Sequence, residues 1–426
     1  MYNIFFRATY LSLYLGFTCV YLLPEISAEK NTLKFVQAIW RHGDRAPKYK
    51  PYPADKYDES FWPRGWSQLT NKGMQEMKEL GAYFREHYTK EFISPVFKRD
   101  EVYLKSSNAD RALVSAQAFL NGLFPPTEDQ EFFEPGLNWQ PIPVHASASE
   151  ESDPLLKPTS FRCPAYKRLK TKAAEGVEAE LSSKYIEFFE YLKPIVQAKG
   201  PKVRLREVTK LIDIEREILH NLSQPDWVFK NWPQYSNKTT LDIVLELRHI
   251  ERTAEFNETS LFFLTSGLLL GDWLDRIEAI SRGELVKPKK MMLYSSHDGT
   301  IQGLLYALQT AEGYKIPYAS CLIMELHEKQ GYFFVELYYR TPTTTNTLGY
   351  NMEQLVIKGC VKSCPLDKFM LLLRANALFK TENLYQRCEL PLCIINGAIS
   401  PMLTEYTHYF KYLTLLLATS LSVKLF

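Results

Sequence analysis

The sequence lacks the glycine-rich loops that bind nucleotides: neither GxGxxG nor GxxxxGK[ST] occurs in its 426 residues. No spacing of histidine, cysteine and aspartate matches a zinc site, so we expect neither a metal nor a cofactor. The formal net charge is only +2, which gives no reason to expect a nucleic-acid partner. These absences argue against P-loop and dinucleotide-binding enzymes, zinc modules and nucleic-acid-binding proteins.

Each end of the chain carries a hydrophobic segment that bears on targeting. At the start, Arg7 precedes a stretch rich in leucine, tyrosine, phenylalanine and valine, and the small residues Ser27 and Ala28 follow it. This order is typical of a signal peptide. We therefore predict a signal peptide over residues 1–28 and entry into the secretory pathway, with an extracellular, lysosomal or cell-surface destination.

The C-terminal tail, residues 396–426, leaves three alternatives open. Its apolar run, Tyr412 to Val423, would span about 18 Å as a helix at ~1.5 Å per residue, short of the ~30 Å hydrocarbon core of a bilayer. Small residues at 396–398, a polar spacer and this run are similar to a lipid-anchor attachment signal. The segment is therefore an unprocessed tail, a lipid-anchor signal that attaches the protein to a membrane, or a spanning helix.

The most informative segment present is Arg41-His42-Gly43-Asp44-Arg45-Ala46-Pro47, which follows an apolar run, Leu33 to Trp40, that predicts a buried strand. Guanidinium groups match phosphate oxygens two at a time and stay charged at any working pH. An unprotonated imidazole between them can attack phosphorus. Because a lone histidine beside arginines is more often part of a solvated loop, this motif alone does not decide the matter.

Two further charged clusters follow predicted strands in the same way. Asp110-Arg111 comes after the apolar run Val102 to Leu104, and His297-Asp298 comes after Met291 to Tyr294. A helix is predicted after each of these two clusters. Open parallel sheets bind ligands at the carboxyl ends of their strands. Three such clusters in one chain favour a phosphate site over three unrelated loops.

These motifs resemble those of the histidine acid phosphatases, in branch 2 of the histidine phosphatase superfamily. The first has the pattern Arg41-His42-Gly43-x-Arg45-x-Pro47, and the distal pair is His297-Asp298. The likeness runs from about Leu33 to Cys388 and is weakest between about 165 and 280. Further segments that carry it are Gln68-Leu69-Thr70, Leu80-Gly81-x-Tyr83-x-Arg85, Asp110-Arg111-x-Leu113-x-Ser115-Ala116, Tyr318-Ala319-Ser320-Cys321 and Gly359-Cys360-x-x-x-Cys364-Pro365-Leu366.

The resemblance assigns a role to each charged residue. His42 would be the nucleophile that forms a phosphohistidine, and Asp298 would be the general acid that protonates the leaving oxygen. The residues that would bind the phosphate oxygens are Arg41, Arg45, Arg111 and His297. Because the arginines neutralise the phosphate, no metal is needed. Because an unperturbed aspartate titrates near ~3.9, we also expect an acidic pH optimum.

Entry into the secretory pathway makes the cysteines interpretable as a disulfide framework. Seven are present, and Cys19 would leave with the signal peptide. The resemblance implies two pairs among the remainder, Cys163–Cys388 and Cys360–Cys364.

Two positions depart from the family pattern. Cys321 often pairs with a cysteine of the helical lobe in the family, but the matching segment, Glu215-Arg216-Glu217, has none, so Cys321 and Cys393 either pair with each other or stay free. Gly299 stands where the family more often has a hydroxyl residue, and Thr300 is then the predicted helix cap.

Residues 167–287 are predicted to form a mainly helical lobe, because apolar residues recur there at helical spacing. This lobe would shape the substrate entrance and hold little of the chemistry. His220 is interpreted as a surface or helix-cap residue. Three glycosylation sequons, as expected of one exposed lobe, lie at Asn221, Asn237 and Asn257.

The predicted fold is α/β: a mostly parallel central sheet flanked by helices, with the helical lobe inserted over the carboxyl edge of the strands. Residues 29–166 and 288–395 would form the core. The predicted function is an acid phosphatase that hydrolyses small-molecule phosphate monoesters through a phosphohistidine. Two alternatives remain: a phytase or other inositol phosphate phosphatase, and an inactive binding protein on the same scaffold. A homodimer is expected from the resemblance alone.

Overall fold

The structure is a computed structural model that describes residues 32–126, 134, 136–146, 149, 152–310, 313, 315–343 and 349–390. The predicted signal peptide, Cys393 and the C-terminal tail lie outside the described residues.

The strands are β1 (Leu33–Arg41), β2 (Val102–Ser106), β3 (His145–Ala146), β4 (Asn231–Trp232), β5 (Lys238–Thr239), β6 (Met291–Ser296), β7 (Cys321–Lys329), β8 (Tyr332–Pro342), β9 (Tyr350–Leu355) and β10 (Cys364–Pro365). The α-helices are α1 (Asn71–Tyr88), α2 (Asp110–Leu123), α3 (Pro164–Lys184), α4 (Ile186–Val196), α5 (Leu205–Thr209), α6 (Asp213–Leu219), α7 (Thr240–Thr253), α8 (Thr259–Ser281), α9 (Asp298–Ala307), α10 (Leu366–Leu373) and α11 (Thr381–Arg387).

Eight of the strands form one mixed sheet, in the order β10-β8-β7-β1-β6-β2-β3, with β9 also paired to β8. Strands β1, β6, β2 and β3 run parallel to one another. Strands β7 to β10 are antiparallel to their neighbours. The predicted α/β fold with parallel central strands is confirmed, and the antiparallel group at one edge is a feature that the sequence analysis did not specify.

Helices cover both faces of the sheet, which explains the unbroken apolar runs of its central strands. On β1, Phe35 and Ile39 enter a hydrophobic cluster with residues of α8 and α9. The alternate residues Val36 and Trp40 enter a second cluster with α1 and α2. Since successive side chains of a strand point to opposite faces, both sets must be apolar, and the predicted buried strand follows.

The parallel strands bring three loops to one edge of the sheet. In the register, Arg41 of β1 pairs with Ser296 of β6, and Ser106 of β2 pairs with Ser295. Because the strands run in the same direction, the segments that follow them emerge side by side at the carboxyl edge. This edge therefore gathers the three charged motifs, which are distant in the sequence.

Helices α3 to α7 enclose a hydrophobic cluster of their own, which includes Phe188, Leu211 and Leu247. Helix α8 differs, because Trp273 and Ile277 lie in a cluster shared with the sheet. The boundaries of the lobe at 167 and 287 stay a prediction.

The asparagines of all three sequons are exposed. Within the described part of the chain, none of the helices has the length and hydropathy that a bilayer crossing requires.

Two disulfides join Cys163 to Cys388 and Cys360 to Cys364, the pairs that the resemblance implies. The first connects the start of α3 to the end of α11. Cys321, on β7, is buried and forms no disulfide with any cysteine that the structure describes, and its alternative partner Cys393 lies outside the described residues. Burial raises the pKa of this thiol, so the group stays protonated and unreactive.

We expect the paired variant Cys163→Ala/Cys388→Ala to lose more stability than Cys360→Ala/Cys364→Ala. A crosslink restricts the unfolded chain more when it closes a longer loop, and the two sequence separations are 225 and 4. Loss of the long crosslink should lower the free energy of unfolding by about 2–5 kcal/mol, measured by guanidinium unfolding without reductant. An equal or larger loss from the short crosslink would contradict this expectation.

Candidate active site

His42 follows β1, and its imidazole is buried. Its Nδ1 lies 2.9 Å from the carbonyl oxygen of Gly43, which can only accept, so Nδ1 carries the proton of the neutral ring. Nε2 is then unprotonated, and the Nε–H of Arg111 donates to it at 3.2 Å. The lone pair of a nucleophilic nitrogen therefore faces a guanidinium group that can bind phosphate.

The environment of His42 keeps its ring uncharged. Burial, followed by the charges of Arg111, Arg41 and Arg45, lowers the pKa of His42 well below its ordinary value of 6.5. A histidine with an ordinary pKa would be largely protonated in mild acid and could not attack phosphorus. The neutral ring is the form that the nucleophile role predicted for His42 would require at acidic pH.

Arg111, in the first turn of α2, links the two histidines of the site. Its Nη2–H donates to Nδ1 of His297 at 3.4 Å. The hydroxyl oxygen of Ser107, just after β2, lies 2.8 Å from Nε2 of His297. The ring centroids of His42 and His297 are 5.4 Å apart, edge to face. The structure therefore brings together the three motifs that the sequence places at strand ends.

Arg41 and Arg45 add two further positive charges beside His42. The guanidinium of Arg41 lies over the ring of Tyr318, with 3.8 Å from its central carbon to the ring centroid. Each of the two guanidinium groups also donates to a backbone carbonyl oxygen, at 2.5 and 2.6 Å. These contacts orient the groups without neutralising them, so their charge remains available to an anion.

The loop that carries His42 is fixed against the start of α1. Oδ2 of Asp44 accepts a hydrogen bond from the hydroxyl of Thr70 at 2.6 Å and lies 2.6 Å from Nε2 of His220. A Cβ added at Gly43 would overlap the backbone of Gly73, and one added at Gly73 would overlap the backbone of Asp44. Only glycine allows this close approach, which anchors the loop that carries His42.

Asp298 begins α9, and Arg252 of α7 donates from Nη2 to its Oδ1 at 3.3 Å. Burial alone would raise the pKa of Asp298, but the charges of Arg252, then Arg41 and Arg248, lower this pKa well below its ordinary value of 3.8. The Asp298 side chain is 34% exposed, so part of its carboxylate remains accessible to a leaving group.

The prediction that Thr300 caps this helix is wrong. Helix α9 already begins at Asp298, with His297 in the N-cap position and no side-chain hydrogen bond from the cap. The hydroxyl of Thr300 donates to the carbonyl oxygen of Leu156 at 3.0 Å instead. The Thr300 hydroxyl thus bonds to a residue distant in the sequence instead of capping its own helix. The carboxylate of Asp298, in the first turn of α9, interacts favourably with the helix dipole.

The sequence analysis assigned no role at the site to four residues that the structure places there: Tyr318, Arg216, His220 and Arg252. Arg216 donates from Nε to the Tyr318 hydroxyl at 2.5 Å. His220 does end α6 as a helix cap, but it also contacts Asp44. Three of the four lie in the predicted lobe, where the resemblance is weakest. The sequence feature that could have indicated Arg252 is Gly299, because a glycine where the family often has a hydroxyl residue leaves space for another side chain.

Comparison with known proteins agrees with this geometry. The family model described as histidine phosphatase superfamily (branch 2) matches residues 32–340. Prostatic acid phosphatase of Rattus norvegicus is 35% identical over 365 residues, which cover 85% of this chain and 91% of that protein. Lysosomal acid phosphatase of Xenopus laevis is 34% identical over 363 residues, which cover 82% of this chain and 77% of that protein.

Solved structures share the fold at lower sequence identity. The Hafnia alvei phytase in complex with myo-inositol hexakis sulphate superposes with a TM-score of 0.62 at 16% identity, covering 84% of this chain and 99% of that chain. This likeness concerns the fold alone. The family match spans more than half of the sequence and agrees with the acid phosphatase relatives. The chain belongs to the histidine phosphatase superfamily, branch 2, as its motifs predict.

Proposed function

We propose that this chain is an acid phosphatase that hydrolyses phosphate monoesters through a phosphohistidine at His42. The enzyme class predicted from the sequence, a phosphoric monoester hydrolase, is confirmed by the family and by the prostatic and lysosomal acid phosphatase relatives. The observation that carries the proposed mechanism is the neutral Nε2 of His42, 3.2 Å from Nε of Arg111 and beside two further arginines.

In the first step, Nε2 of His42 attacks phosphorus, and the bond to the leaving oxygen breaks as the N–P bond forms. Arg41, Arg45 and Arg111 would bind the non-bridging oxygens, and His297 would add a fourth polar contact. Fixed positive charge around the transferring group supplies most of the catalysis in phosphoryl transfer. The bond from Nδ1 to the Gly43 carbonyl holds the ring in the tautomer that can attack.

Asp298 would deliver a proton to the leaving oxygen. The neighbouring arginines favour the ionised carboxylate of Asp298. The proton must therefore either arrive with the substrate, or stay on Asp298 because the bound substrate is negatively charged. A bound phosphate dianion beside Asp298 raises the pKa of that carboxyl. Alternatively, a monoester with a second pKa of ~6 carries the proton in as its monoanion. Both routes require acid, which supports an acidic optimum. The carboxylate left after the first step can then activate the water that hydrolyses the phosphohistidine.

The acid phosphatase activity is better supported than the two alternatives. The phytase structures share 16–17% identity with this chain, whereas the acid phosphatases share 34–35%. An inactive binding protein would have no need for a neutral imidazole, three arginines and an adjacent carboxylate in one place. The substrate class is therefore small-molecule phosphate monoesters.

The destination and processing of the chain remain part of the proposal. A secreted or lysosomal destination fits relatives named as prostatic and lysosomal acid phosphatases. We further propose the signal peptide over 1–28, the inserted lobe over 167–287, and glycans on the three exposed sequon asparagines. Membrane attachment through the tail, a cell-surface location and a homodimer rest on the sequence and the resemblance.

His42→Ala should abolish phosphoenzyme formation and lower kcat/KM by ~10³-fold or more, because the nucleophile is gone. The measurement is rapid-quench labelling with a radiolabelled monoester, stopped in alkaline denaturant. His87→Ala, at an exposed histidine of α1, is the matched control and should label normally. Burst labelling retained in the His42 variant would refute the proposed mechanism.

Asp298→Asn should slow an alkyl ester such as glycerol 2-phosphate by ~10²–10⁴-fold, the usual value of general acid catalysis. Para-nitrophenyl phosphate should lose much less, because its leaving group needs little protonation. The comparison uses kcat/KM for both esters in mild acid, because this constant reports phosphoryl transfer to His42 and not the later hydrolysis of the phosphohistidine. Equal losses on the two substrates would remove Asp298 from the acid role.

A substrate panel separates the two enzyme activities. At mildly acidic pH we expect a higher kcat/KM for phenyl phosphate and glycerol 2-phosphate than for phytate, measured by phosphate release. The His42→Ala variant provides the background rate. A kcat/KM for phytate that equals or exceeds that of the simple monoesters would favour the phytase alternative.

A further inference from the structure

Arg252 reaches from helix α7 of the predicted lobe to the start of α9. Its Nη2 donates to Oδ1 of Asp298 at 3.3 Å, and its Nη1 donates to Oε2 of Glu255 at 2.7 Å. The same Glu255 oxygen accepts a hydrogen bond from Lys170 at 2.8 Å. The Arg252 side chain is only 16% exposed. One edge of the guanidinium is thus anchored within the lobe, while the other is directed at the proposed general acid.

Gly299 makes this contact sterically possible. A Cβ added at position 299 would overlap Nη2 of Arg252 and lie 3.1 Å from both the central carbon of its guanidinium and the methyl carbon of Thr159. The arginine therefore occupies the space that any side chain at 299 would need. The glycine that departs from the family pattern and the arginine that reaches Asp298 are two parts of one structural feature.

We propose that Arg252, admitted by Gly299, is a positioning residue that holds Asp298 by Oδ1 and sets the pH range and the leaving groups for which proton transfer is effective. The proposal rests on the proposed function, in which Asp298 is the general acid. With Oδ1 engaged, Oδ2 is the oxygen left to meet the leaving group. Because Arg252 stabilises the carboxylate, it restricts protonation of Asp298 to lower pH or to the substrate complex.

The other charges near Asp298 determine how much of this effect belongs to Arg252. The charged and titratable groups that face Asp298 are Arg41 of β1, Arg248 and Arg252 of α7, and the adjacent His297. Among these charges Arg252 has the largest effect on the pKa of Asp298, and it makes the ion pair. The groups that face Arg252 in turn are Asp298, Glu255 and Tyr166. Removing Arg252 leaves Glu255 paired with Lys170, so the variant retains a partner for this carboxylate.

The decisive variant is Arg252→Met, which removes the charge and keeps an unbranched apolar stem. Loss of a positive charge beside a carboxylate raises the carboxyl pKa by about one to three units. The alkaline limb of the kcat profile on glycerol 2-phosphate should therefore move up by about one pH unit or more. Turnover of para-nitrophenyl phosphate should stay near wild type. A limb that coincides with that of the wild type would overturn the proposal.

Gly299→Ala tests the same contact without removing any charge. The added methyl meets the end of a flexible side chain rather than backbone, and alanine favours the helix that begins here. We expect an upward shift of the same limb that is smaller than for Arg252→Met. In the Arg252→Met background the alanine should add no further shift, because the guanidinium that it displaces is gone and the remaining close contact, the Thr159 methyl, carries no charge. Additive shifts would show that the two positions act independently and would overturn the proposal.

Rescue and control variants separate this proposal from simple damage to the fold. Arg252→Lys restores the charge and should return the limb most of the way to wild type. Arg204→Met, at an exposed arginine of the same lobe, should leave the profile unchanged. If His42→Ala and Asp298→Asn behave as expected but the limb does not move in Arg252→Met, the proposed function stands and this inference fails. If Arg252→Met does not fold, Gly299→Ala alone decides, and an unshifted limb there overturns the proposal.

Discussion

Burial, together with the positive charge of Arg111, Arg41 and Arg45, lowers the pKa of His42 and sets the ionisation of the group at the centre of the site. The imidazole of His42 is thereby favoured in its neutral form, while a partly different set of charges, Arg252 with Arg41 and Arg248, favours the carboxylate of Asp298. A monoester dianion introduces the opposite charge and reverses the second effect. Substrate binding and readiness of the proton donor are therefore coupled by the same electrostatics.

The parallel strands explain how so much like charge can be held in one place. Each arginine approaches from a different segment, at the end of β1, in the loop after it or at the start of α2, so no single loop carries all the repulsion. Cation–π contact with Tyr318 and backbone carbonyl oxygens orient the guanidinium groups at little cost in charge. Anchoring through Gly43 and Gly73 then prevents the loop from relaxing away from its neighbours.

Local features made the catalytic motifs predictable from sequence. An apolar run followed by a charged cluster indicates β1 with His42 and β6 with His297. Because the carboxyl ends of parallel strands meet at one edge of the sheet, the two histidines are expected to lie close together. The distant partners that individual side chains contact in the folded protein were not predictable from the sequence. Thr300 took a distant acceptor instead of capping α9. Arg252 is one of several charged residues on α7, and periodicity does not reveal which of them crosses from the lobe to the core.

This division between strand ends and lobe has a chemical logic. Every substrate of a monoester phosphatase presents the same phosphate, so the groups that bind it gain from rigid attachment to the sheet. The alcohol differs between substrates, and so does the extent to which its leaving oxygen must be protonated as the P–O bond breaks. In the proposed mechanism Arg252 would act on the proton donor, so it could vary together with Gly299 while the arginines around His42 stay unchanged. On this proposal the lobe would adjust the working pH and the leaving-group range without disturbing the phosphate site.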